Sequence, residues 1–147
     1  MTIGGLFSTL DVSASALRAQ RMRMNVVANN LANVNTTHDR AGNANPYRRK
    51  EIFFRPGAPD LTGSELLGVR VDKIEEDPSE SRWVYNPDHP DAVKDPAGEH
   101  FGCVQMPNVD LPIEMIDMME ASRAYEANIT AMDATKQMVL NTLEILV

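Results

Sequence analysis

The last 37 residues carry a repeat of apolar side chains that limits how the chain folds. Eleven positions follow alternating spacings of four and three residues, and nine of them are apolar or aromatic. A repeat with this spacing places a narrow apolar stripe along a helix that supercoils with a partner. One helix cannot bury such a stripe alone, so a partner is required. This C-terminal stripe consists of Leu111, Met115, Met118, Ser122, Tyr125, Ile129, Met132, Lys136, Val139, Leu143 and Leu146.

A matching stripe lies at the other end of the chain, where eight of nine positions are apolar. Residues 1–36 hold three arginines and one aspartate, a net charge of +2, whereas residues 111–147 hold six carboxylates and two cations, a net charge of −4. Opposite charge favours pairing and fixes register. We therefore predict that the two terminal helices pair as a coiled coil. The N-terminal stripe consists of Ile3, Phe7, Leu10, Ala14, Leu17, Arg21, Met24, Ala28 and Leu31.

The same spacing also fits two ordinary amphipathic helices of a globular α protein, but their length argues against that reading. Helices in globular proteins average about 11–12 residues. At about 1.5 Å per residue, each terminal helix would span roughly 50–55 Å. We therefore expect a mainly α fold with a small β insertion, divided into an N-terminal helix at 1–36, a β-rich middle domain at 37–110 and a C-terminal helix at 111–147.

The middle domain shows several short strand patterns between turn signals. Alternating apolar side chains at 66–74 give the best strand signal, and 47–55, 82–85 and 100–106 are weaker candidates. Prolines and glycines make 86–98 a long loop. Asp110 is a plausible cap for the C-terminal helix, with Pro112 in its first turn.

Asparagine is unusually frequent where the first helix ends, although it is a poor helix former. Asn25, Asn29 and Asn33 fall four residues apart and line one face, with Asn30 and Asn35 beside them. Two interpretations remain open. The helix end frays with its amides in water, or the amides form a second contact face that hydrogen-bonds a neighbouring chain.

Composition argues against several classes of function. A net charge of −7 disfavours nucleic acid as a main partner, since phosphate binding needs a basic face. The sequence contains no run of about 18 apolar residues, which is the length that a membrane-spanning helix needs. The first residues lack the basic and apolar regions of a secretory signal peptide. The single Cys103 excludes an internal disulfide and is interpreted as a packed small residue.

The sequence Asp88-His89-Pro90-Asp91 is the best candidate for chemistry, because a histidine between carboxylates can serve acid–base catalysis. Prolines at 87 and 90 instead favour a rigid structural loop. The three histidines share no metal-ligand spacing with Cys103, and there is no glycine-rich phosphate loop. The basic run at 48–50 is interpreted as an interface or a solvated strand edge. We predict no catalytic residue, cofactor or metal.

Several stretches resemble the bacterial flagellar rod and hook proteins. The first, Ala28-Asn-Asn-Leu-Ala-Asn-Val-Asn-Thr36, resembles the N-terminal signature of that superfamily. Others resemble its proximal rod members and lie in the middle domain and the C-terminal helix. They are Val84-Tyr-Asn-Pro-Asp-His-Pro-Asp91, Val104-Gln-Met-Pro-Asn-Val-Asp110, Glu114-Met-Ile-Asp-Met-Met-Glu-Ala-Ser-Arg-Ala-Tyr-Glu-Ala-Asn128 and Thr135-Lys-Gln-Met138.

The resemblance implies a structural subunit of the basal body, not an enzyme. Members of the family are exported through the flagellar type III apparatus without a cleaved signal peptide. They polymerise with copies of themselves and with other rod proteins into a tube that crosses the periplasm, encloses the export channel and transmits torque. The tube joins ring and export-gate proteins at its base. The subunit-interface residues we expect are Leu10, Leu17, Met24, Asn29, Asn30, Leu31, Asn33, Met118, Tyr125, Ile129, Met132, Val139 and Leu143.

Two alternatives from other classes remain. A monomeric α+β binding or regulatory module would pack its helices on the β-rich part and stay an ordered monomer. A hydrolase built on Asp88, His89 and Asp91 would hold these groups in a pocket with perturbed acidity.

Overall fold

The structure, a computed structural model, describes residues 3–57 and 68–145. Along the chain, a long helix comes first, four short strands follow, and a second long helix comes last. The elements are α1 (Ile3–Ala32), β1 (Lys50–Pro56), β2 (Val69–Glu76), β3 (Arg82–Tyr85), β4 (Cys103–Met106) and α2 (Leu111–Ile145). The predicted mainly α fold with a small β insertion is confirmed. The pairing of the helices as a coiled coil stays a prediction.

The strands form two separate two-stranded sheets. β1 pairs with β2, and β3 pairs with β4 in antiparallel register with Trp83 opposite Gln105. The strand predicted at 82–85 is found with those bounds. The one predicted at 100–106 is shorter, because His100 and Gly102 form a turn. In that turn the carbonyl of His100 accepts from the N–H of Cys103 at 2.9 Å, and Gly102 has a φ of +74°.

β1 begins three residues later than predicted, since the chain just before it bonds to other segments. The N–H of Tyr47 donates to the carbonyl of Thr36 at 3.0 Å, and the N–H of Arg49 donates to the Asn108 side chain at 2.8 Å. The strand predicted at 66–74 is found at Val69–Glu76. The first residues of that prediction lie outside the described part of the chain.

Asparagines end α1 four residues earlier than predicted. The N–H of Asn33 donates to the carbonyls of Asn29 and Asn30, both at 3.2 Å. The Asn33 side chain also donates to the Asn29 carbonyl, and its oxygen accepts from the Thr36 hydroxyl. Side chains that satisfy backbone groups locally compete with helix continuation. At the start of α2, the Asp110 carbonyl accepts from the N–H of Glu114 at 3.0 Å.

The chain divides into two compact units, and each helix contributes to both. Unit 1 comprises the described residues of Met1–Asn25, Ile52–Ile74 and Asp117–Val147. Unit 2 comprises Val26–Glu51 and Glu75–Ile116. The three-part division at 1–36, 37–110 and 111–147 stays a prediction.

Most of the described core lies in unit 2. Its buried apolar residues are Val26, Val27, Ala92, Val104 and Val109, and its buried polar residues are Asn30, Thr37 and Glu114. Among the described residues of unit 1, the buried apolar side chains are Ala19 and Ala121.

Several hydrogen bonds connect the segments of unit 1. The Ser15 hydroxyl donates to the Val12 carbonyl at 2.7 Å and accepts from the N–H of Val69 at 3.0 Å. Gly68 precedes this contact with a φ of +80°, and a Cβ there would collide with the Ser15 side chain. This close approach requires glycine at position 68. Arg23 also bonds Asp117 at 3.2 Å, joining α1 to α2 within this unit.

Candidate functional site: a buried polar cluster and exposed helix surfaces

Unit 2 contains a buried polar cluster made by the side chains of Asn30, Arg49 and Glu114. Glu114 is 0% exposed and Asn30 is 1% exposed. One carboxylate oxygen of Glu114 accepts from the Arg49 Nε at 2.6 Å, and the other accepts from the Asn30 Nδ2 at 3.1 Å. A buried carboxylate is tolerated when it is paired and hydrogen-bonded in this way. The cluster joins the end of α1, the start of β1 and the first turn of α2.

The Asn30 amide uses its donors and acceptors within the chain. Its Nδ2 donates to the Lys50 carbonyl at 2.9 Å as well as to Glu114. Its Oδ1 accepts from the Lys50 N–H at 2.9 Å and from the Tyr47 hydroxyl at 3.0 Å. An amide has two donors and one oxygen with two lone pairs, so all its bonding capacity is used. Burial, followed by the charge of Glu114, raises the pKa of Tyr47.

Arg49 extends the cluster toward the turn after β2. Its Nη1 bonds Glu51 at 2.6 Å and lies 3.8 Å from Asp77. The Ser79 backbone N–H, which bonds Asp77 at 2.8 Å, lowers the pKa of Asp77, and the Arg49 charge adds to the effect. Asn108 holds the same turn, because its amide donates to the Ser79 hydroxyl at 2.8 Å.

Sequence reasoning missed this cluster. The basic run at 48–50 predicts an interface or a solvated strand edge for Arg49, and no sequence pattern predicts a buried role for Glu114. The one available signal is that Glu114 lies between Ile113 and Met115, outside the C-terminal stripe. Since the partners are up to 84 residues apart, no local pattern reveals them.

In the Asp88-His89-Pro90-Asp91 loop, the Asp91 side chain forms polar contacts with the segment that follows α1. The Thr37 hydroxyl donates to the Asp91 carboxylate at 2.6 Å, and Nδ1 of His38 lies 3.4 Å from the same oxygen. The hydrogen bond from Thr37, followed by the charge of His38, lowers the pKa of Asp91. Asp88 is exposed. The adjoining cavity measures about 60 Å³ and is lined by Thr37, Ala44, Pro46, Trp83, Asp91, Val93, Val104 and Gln105.

A wider cleft of about 310 Å³ lies elsewhere in unit 2. Its walls mix the cations Arg48 and Lys50 with the carboxylates Asp39 and Glu76. The backbone N–H of Asn43 bonds Asp39 and lowers its pKa. Within residues 3–57 and 68–145, no cluster of three or more His, Cys, Asp or Glu side chains could hold a metal ion.

Large apolar side chains remain exposed along α2. In the first two turns, which belong to unit 2, they are Leu111, Ile113, Met115 and Ile116. In the part that belongs to unit 1, they are Met119, Ile129, Met138, Leu140 and Leu143, with Met119 exposed by 51% and Leu143 by 54%. Several exposed large apolar side chains on one helix make that helix a candidate surface for interaction.

The predicted interface residues differ in how much of each is exposed to solvent. Most are half-buried; Asn29, Ile129 and Leu143 are exposed, and Asn30 is buried in the polar cluster. Among the described side chains of α1, the buried apolar ones are Ala19, Val26 and Val27, and all three fall outside the N-terminal stripe. The half-buried residues are Leu10, Leu17, Met24, Leu31, Asn33, Met118, Tyr125, Met132 and Val139.

Exposed charges of opposite sign lie on the two helices of unit 1. Arg18, Arg21 and Asp11 are exposed on α1, an excess of one positive charge. Glu120, Glu126 and Asp133 are exposed on α2 with Arg123 and Lys136, an excess of one negative charge. Surfaces with this distribution can attract each other between copies of one chain, since electrostatic complementarity steers association and fixes register.

Comparisons with known proteins agree over both helices. A family model described as "Flagella basal body rod protein" matches residues 10–37, and one described as "Flagellar basal body rod FlgEFG protein C-terminal" matches residues 102–145. The flagellar basal-body rod protein FlgC of Borreliella burgdorferi is 42% identical over 97% of this chain and 98% of its own length. That of Bacillus subtilis is 44% identical over 95% and 97%. In the part of the chain that the structure describes, neither helix has the length and hydropathy needed to cross a membrane.

Proposed function

The chain belongs to the FlgC family of flagellar basal-body rod proteins, and from this premise we propose that it builds the proximal rod by polymerising through its terminal helices. In this proposal, copies of the chain and other rod proteins form a tube that encloses the export channel and transmits torque. The base of the tube contacts ring and export-gate proteins. The role is structural and involves no catalysis.

The main support for this proposal is the set of exposed apolar side chains of α2 in unit 1. Met119, Ile129 and Leu140 keep 51%, 39% and 45% of their surface accessible in the isolated chain. Burying a side chain of this size stabilises an interface by roughly 1.5–3 kcal/mol. A neighbouring helix that covers several of them would supply the association energy that a tube requires.

The exposed charges on the two helices also support a contact between α1 of one copy and α2 of the next. Arg18 and Arg21 on α1 of one copy would face Glu120, Glu126 or Asp133 on α2 of the next, because all five side chains are exposed. A contact between two different faces of the same chain is heterologous. Heterologous contacts repeat into rings or helical filaments and do not stop at a dimer. A heterologous contact of this kind would fit a tube, whereas the alternative of a monomeric binding module requires no contact between copies.

The family also supports localisation to the flagellar basal-body rod. We propose that the chain reaches the rod through the flagellar type III apparatus without cleavage of a signal peptide and that the rod crosses the periplasm. Intact mass of the protein recovered from purified basal bodies tests the first point. A mass that shows no residues removed by a signal peptidase is expected, and a shortened N-terminus would contradict it.

The test of assembly replaces one exposed apolar residue of α2 in cells. Met119→Asp puts a carboxylate into the proposed interface, where an unpaired buried charge is far costlier than the lost methionine. We expect the subunit to be made and exported but not incorporated, so that rods stall and cells do not swim. Ala127→Asp is the matched control, because it adds the same charge at an exposed small residue of the same helix. Normal swimming of Met119→Asp cells with intact rods would overturn the proposal.

A further inference from the structure

All four residues of β3 are exposed, including side chains on both faces of the strand. These residues are Arg82, Trp83, Val84 and Tyr85, and Tyr85 has the largest exposed fraction, 71%. A strand that packs one face against a core buries every second side chain, because successive side chains point to opposite faces. Tryptophan, tyrosine and arginine are also the residue types enriched where interfaces gain most of their binding energy. β3 is therefore a candidate contact surface of unit 2.

The hydrogen-bond pattern of β3 shows which of its backbone groups point away from β4. The N–H of Asn86 donates to the carbonyl of Gly102 at 2.9 Å, and this pair continues the register of β3 with β4. Residues along an antiparallel strand alternate between those that bond the partner strand and those that face away from it. The N–H and carbonyl groups of Trp83 and Tyr85 therefore point away from β4. Among the described residues β3 pairs with β4 alone, so this edge is suited to an added strand.

The end of β2 has a matching set of backbone groups. Just beyond the strand, the N–H of Asp77 donates to the carbonyl of Arg49 at 2.8 Å, so Asp77 faces the β1 side. By the same alternation, Ile74 and Glu76 direct their backbone groups away from β1. Residues 73–76 are all exposed. An exposed strand edge of this kind can pair with the edge of another sheet.

We propose that β3 of one copy pairs antiparallel with the end of β2 of a second copy, so that two sheets join across the contact. Trp83 lies opposite Ile74 in this pairing, because both direct their backbone groups outward. Arg82 then lies opposite Glu75, and an opposite-charge pair directly across two strands is favourable. This contact adds to the helix contacts of the proposed function and does not depend on them.

Charge supports the end of β2 as the segment that occupies this edge. β3 carries a single charge, that of Arg82, whereas residues 73–76 carry one lysine and two glutamates, a net charge of −1. Two copies of β3 placed edge to edge would bring together arginines with no carboxylate on either strand. Charge also selects the register. A shift by two residues would place Arg82 opposite Asp77, which already lies 3.8 Å from Arg49.

The proposed pairing is heterologous, because it joins two different edges of the same chain. Each copy that accepts a strand at β3 still offers its own β2 to another copy, so the contact can repeat around an assembly. The main-chain hydrogen bonds would supply affinity, and the alternating side chains would supply specificity.

Disulfide cross-linking in purified basal bodies tests the inference. Val84 and Lys73 would form an opposite pair that is not hydrogen-bonded, where the two side chains lie closest. Val84→Cys with Lys73→Cys is made together with Cys103→Ser, which removes the single native thiol. After mild oxidation we expect dimers and larger products of this chain on a non-reducing gel, because each copy carries one cysteine on each edge. A reducing agent should return them to monomer.

A matched control places the second cysteine outside both strands. Val84→Cys with Arg40→Cys uses an exposed loop residue and should give at least about tenfold less product, since only opposed Cβ atoms lie within disulfide reach. Adding Arg82→Glu to the first cysteine pair should lower its product at least about threefold, because like charges directly opposite destabilise a strand pair. Equal cross-linking of the two cysteine pairs would overturn the inference. Dimers from Val84→Cys alone would overturn it too, since β3 would then pair with β3.

Charge exchange gives a second measurement that needs no cysteine. Arg82→Glu should reduce swimming, and Arg82→Glu with Glu75→Arg should restore part of it. If the cysteine variants form no rods, absence of any recovery in this exchange overturns the inference. The proposed helix contacts are separable from the strand pairing. Strong cross-linking between strands, with intact rods in Met119→Asp cells, would reject the helix interface alone. Rods lost in Met119→Asp cells, with no cross-linking between strands in otherwise unsubstituted rods, would reject the strand pairing alone.

Discussion

The side-chain amide of Asn30 bonds both backbone groups of Lys50, donating to its carbonyl and accepting from its N–H, each at 2.9 Å. This is the pair of bonds that an opposite residue makes in an antiparallel ladder. The end of α1 thereby satisfies the outer edge of β1 at its first residue. An unpaired strand edge is a template for unwanted association. Asparagine can do this because its amide carries a donor and an acceptor side by side.

Asn30→Asp should therefore destabilise unit 2 strongly. The carboxylate cannot donate to the Lys50 carbonyl, and it would face the Glu114 carboxylate in a buried site. We expect a loss of about 3–5 kcal/mol, typical of an unpaired buried charge. Urea unfolding followed by fluorescence of Trp83, the single tryptophan, measures it. Asn29→Asp at the exposed neighbour should cost less than about 0.5 kcal/mol. Similar losses for the two variants would refute the role of Asn30.

Arg49 and Glu114 should show strong coupling in a double-mutant cycle. Arg49→Met leaves a carboxylate that is 0% exposed without its cation, at a cost of about 3–5 kcal/mol. Arg49→Met with Glu114→Met removes both charges and should recover most of that loss, because apolar replacement of a whole buried pair is often neutral. Arg48→Met, at the exposed neighbour, serves as the control. Additive losses in the double variant would show that the two charges act separately.

The Thr37 hydroxyl should control the acidity of Asp91. Because the hydrogen bond from Thr37 is the largest cause of the lowered pKa, Thr37→Val should raise the pKa of Asp91 toward the ordinary value of 3.8. A carboxyl whose folded pKa is lowered contributes stability that is complete above 3.8 and is lost as pH falls through the folded pKa. Carboxyl NMR titration of Asp91 measures the change. Thr36→Val, whose hydroxyl bonds Asn33, is the control. An unchanged pKa in Thr37→Val would contradict this account.

Charge reversal should identify the faces that meet between copies. In the proposed interface, Arg21→Glu would place a carboxylate opposite the acidic residues of α2 on the neighbouring copy, and it should reduce rod assembly and swimming. Adding Glu126→Arg in the same chain should restore part of both, since each interface regains an opposite pair. Swimming zones in soft agar and counts of intact rods measure the outcome. If Glu126→Arg makes the defect worse, the two residues do not face each other across the interface.

The sequence was sufficient for the elements whose signals are local. Pro112 predicts a helix start near Leu111, where α2 begins, and turn residues bound β3 on both sides. The N-terminal helix is predicted to reach residue 36, beyond the last stripe position at Leu31, whereas Asn33 and its side chain end α1 at Ala32. A hydrophobic period reports which residues can be buried and does not report where a capping hydrogen bond forms.

The polar cluster was not predictable for a different reason. Glutamate and arginine are almost never fully buried unless paired, so the default assignment for Glu114 and Arg49 is the surface. Their pairing depends on bringing together segments 65 residues apart. The run of asparagines had two open interpretations, and the structure gives Asn30 and Asn33 different roles. Asn30 is a buried partner of β1, and Asn33 ends the helix.

The alternation of buried and exposed residues along α2 restricts how the length of the chain can change. Glu114 is fully buried, whereas Met115 beside it is 51% exposed. One residue added after Glu114 would turn everything beyond it by about 100°, since a helix has 3.6 residues per turn. The exposed apolar side chains would then point to a different neighbour. Loops carry no such periodic constraint. The exposed turn at Asp95–Ala97, held by its own aspartate, is the site where an epitope tag should be tolerated.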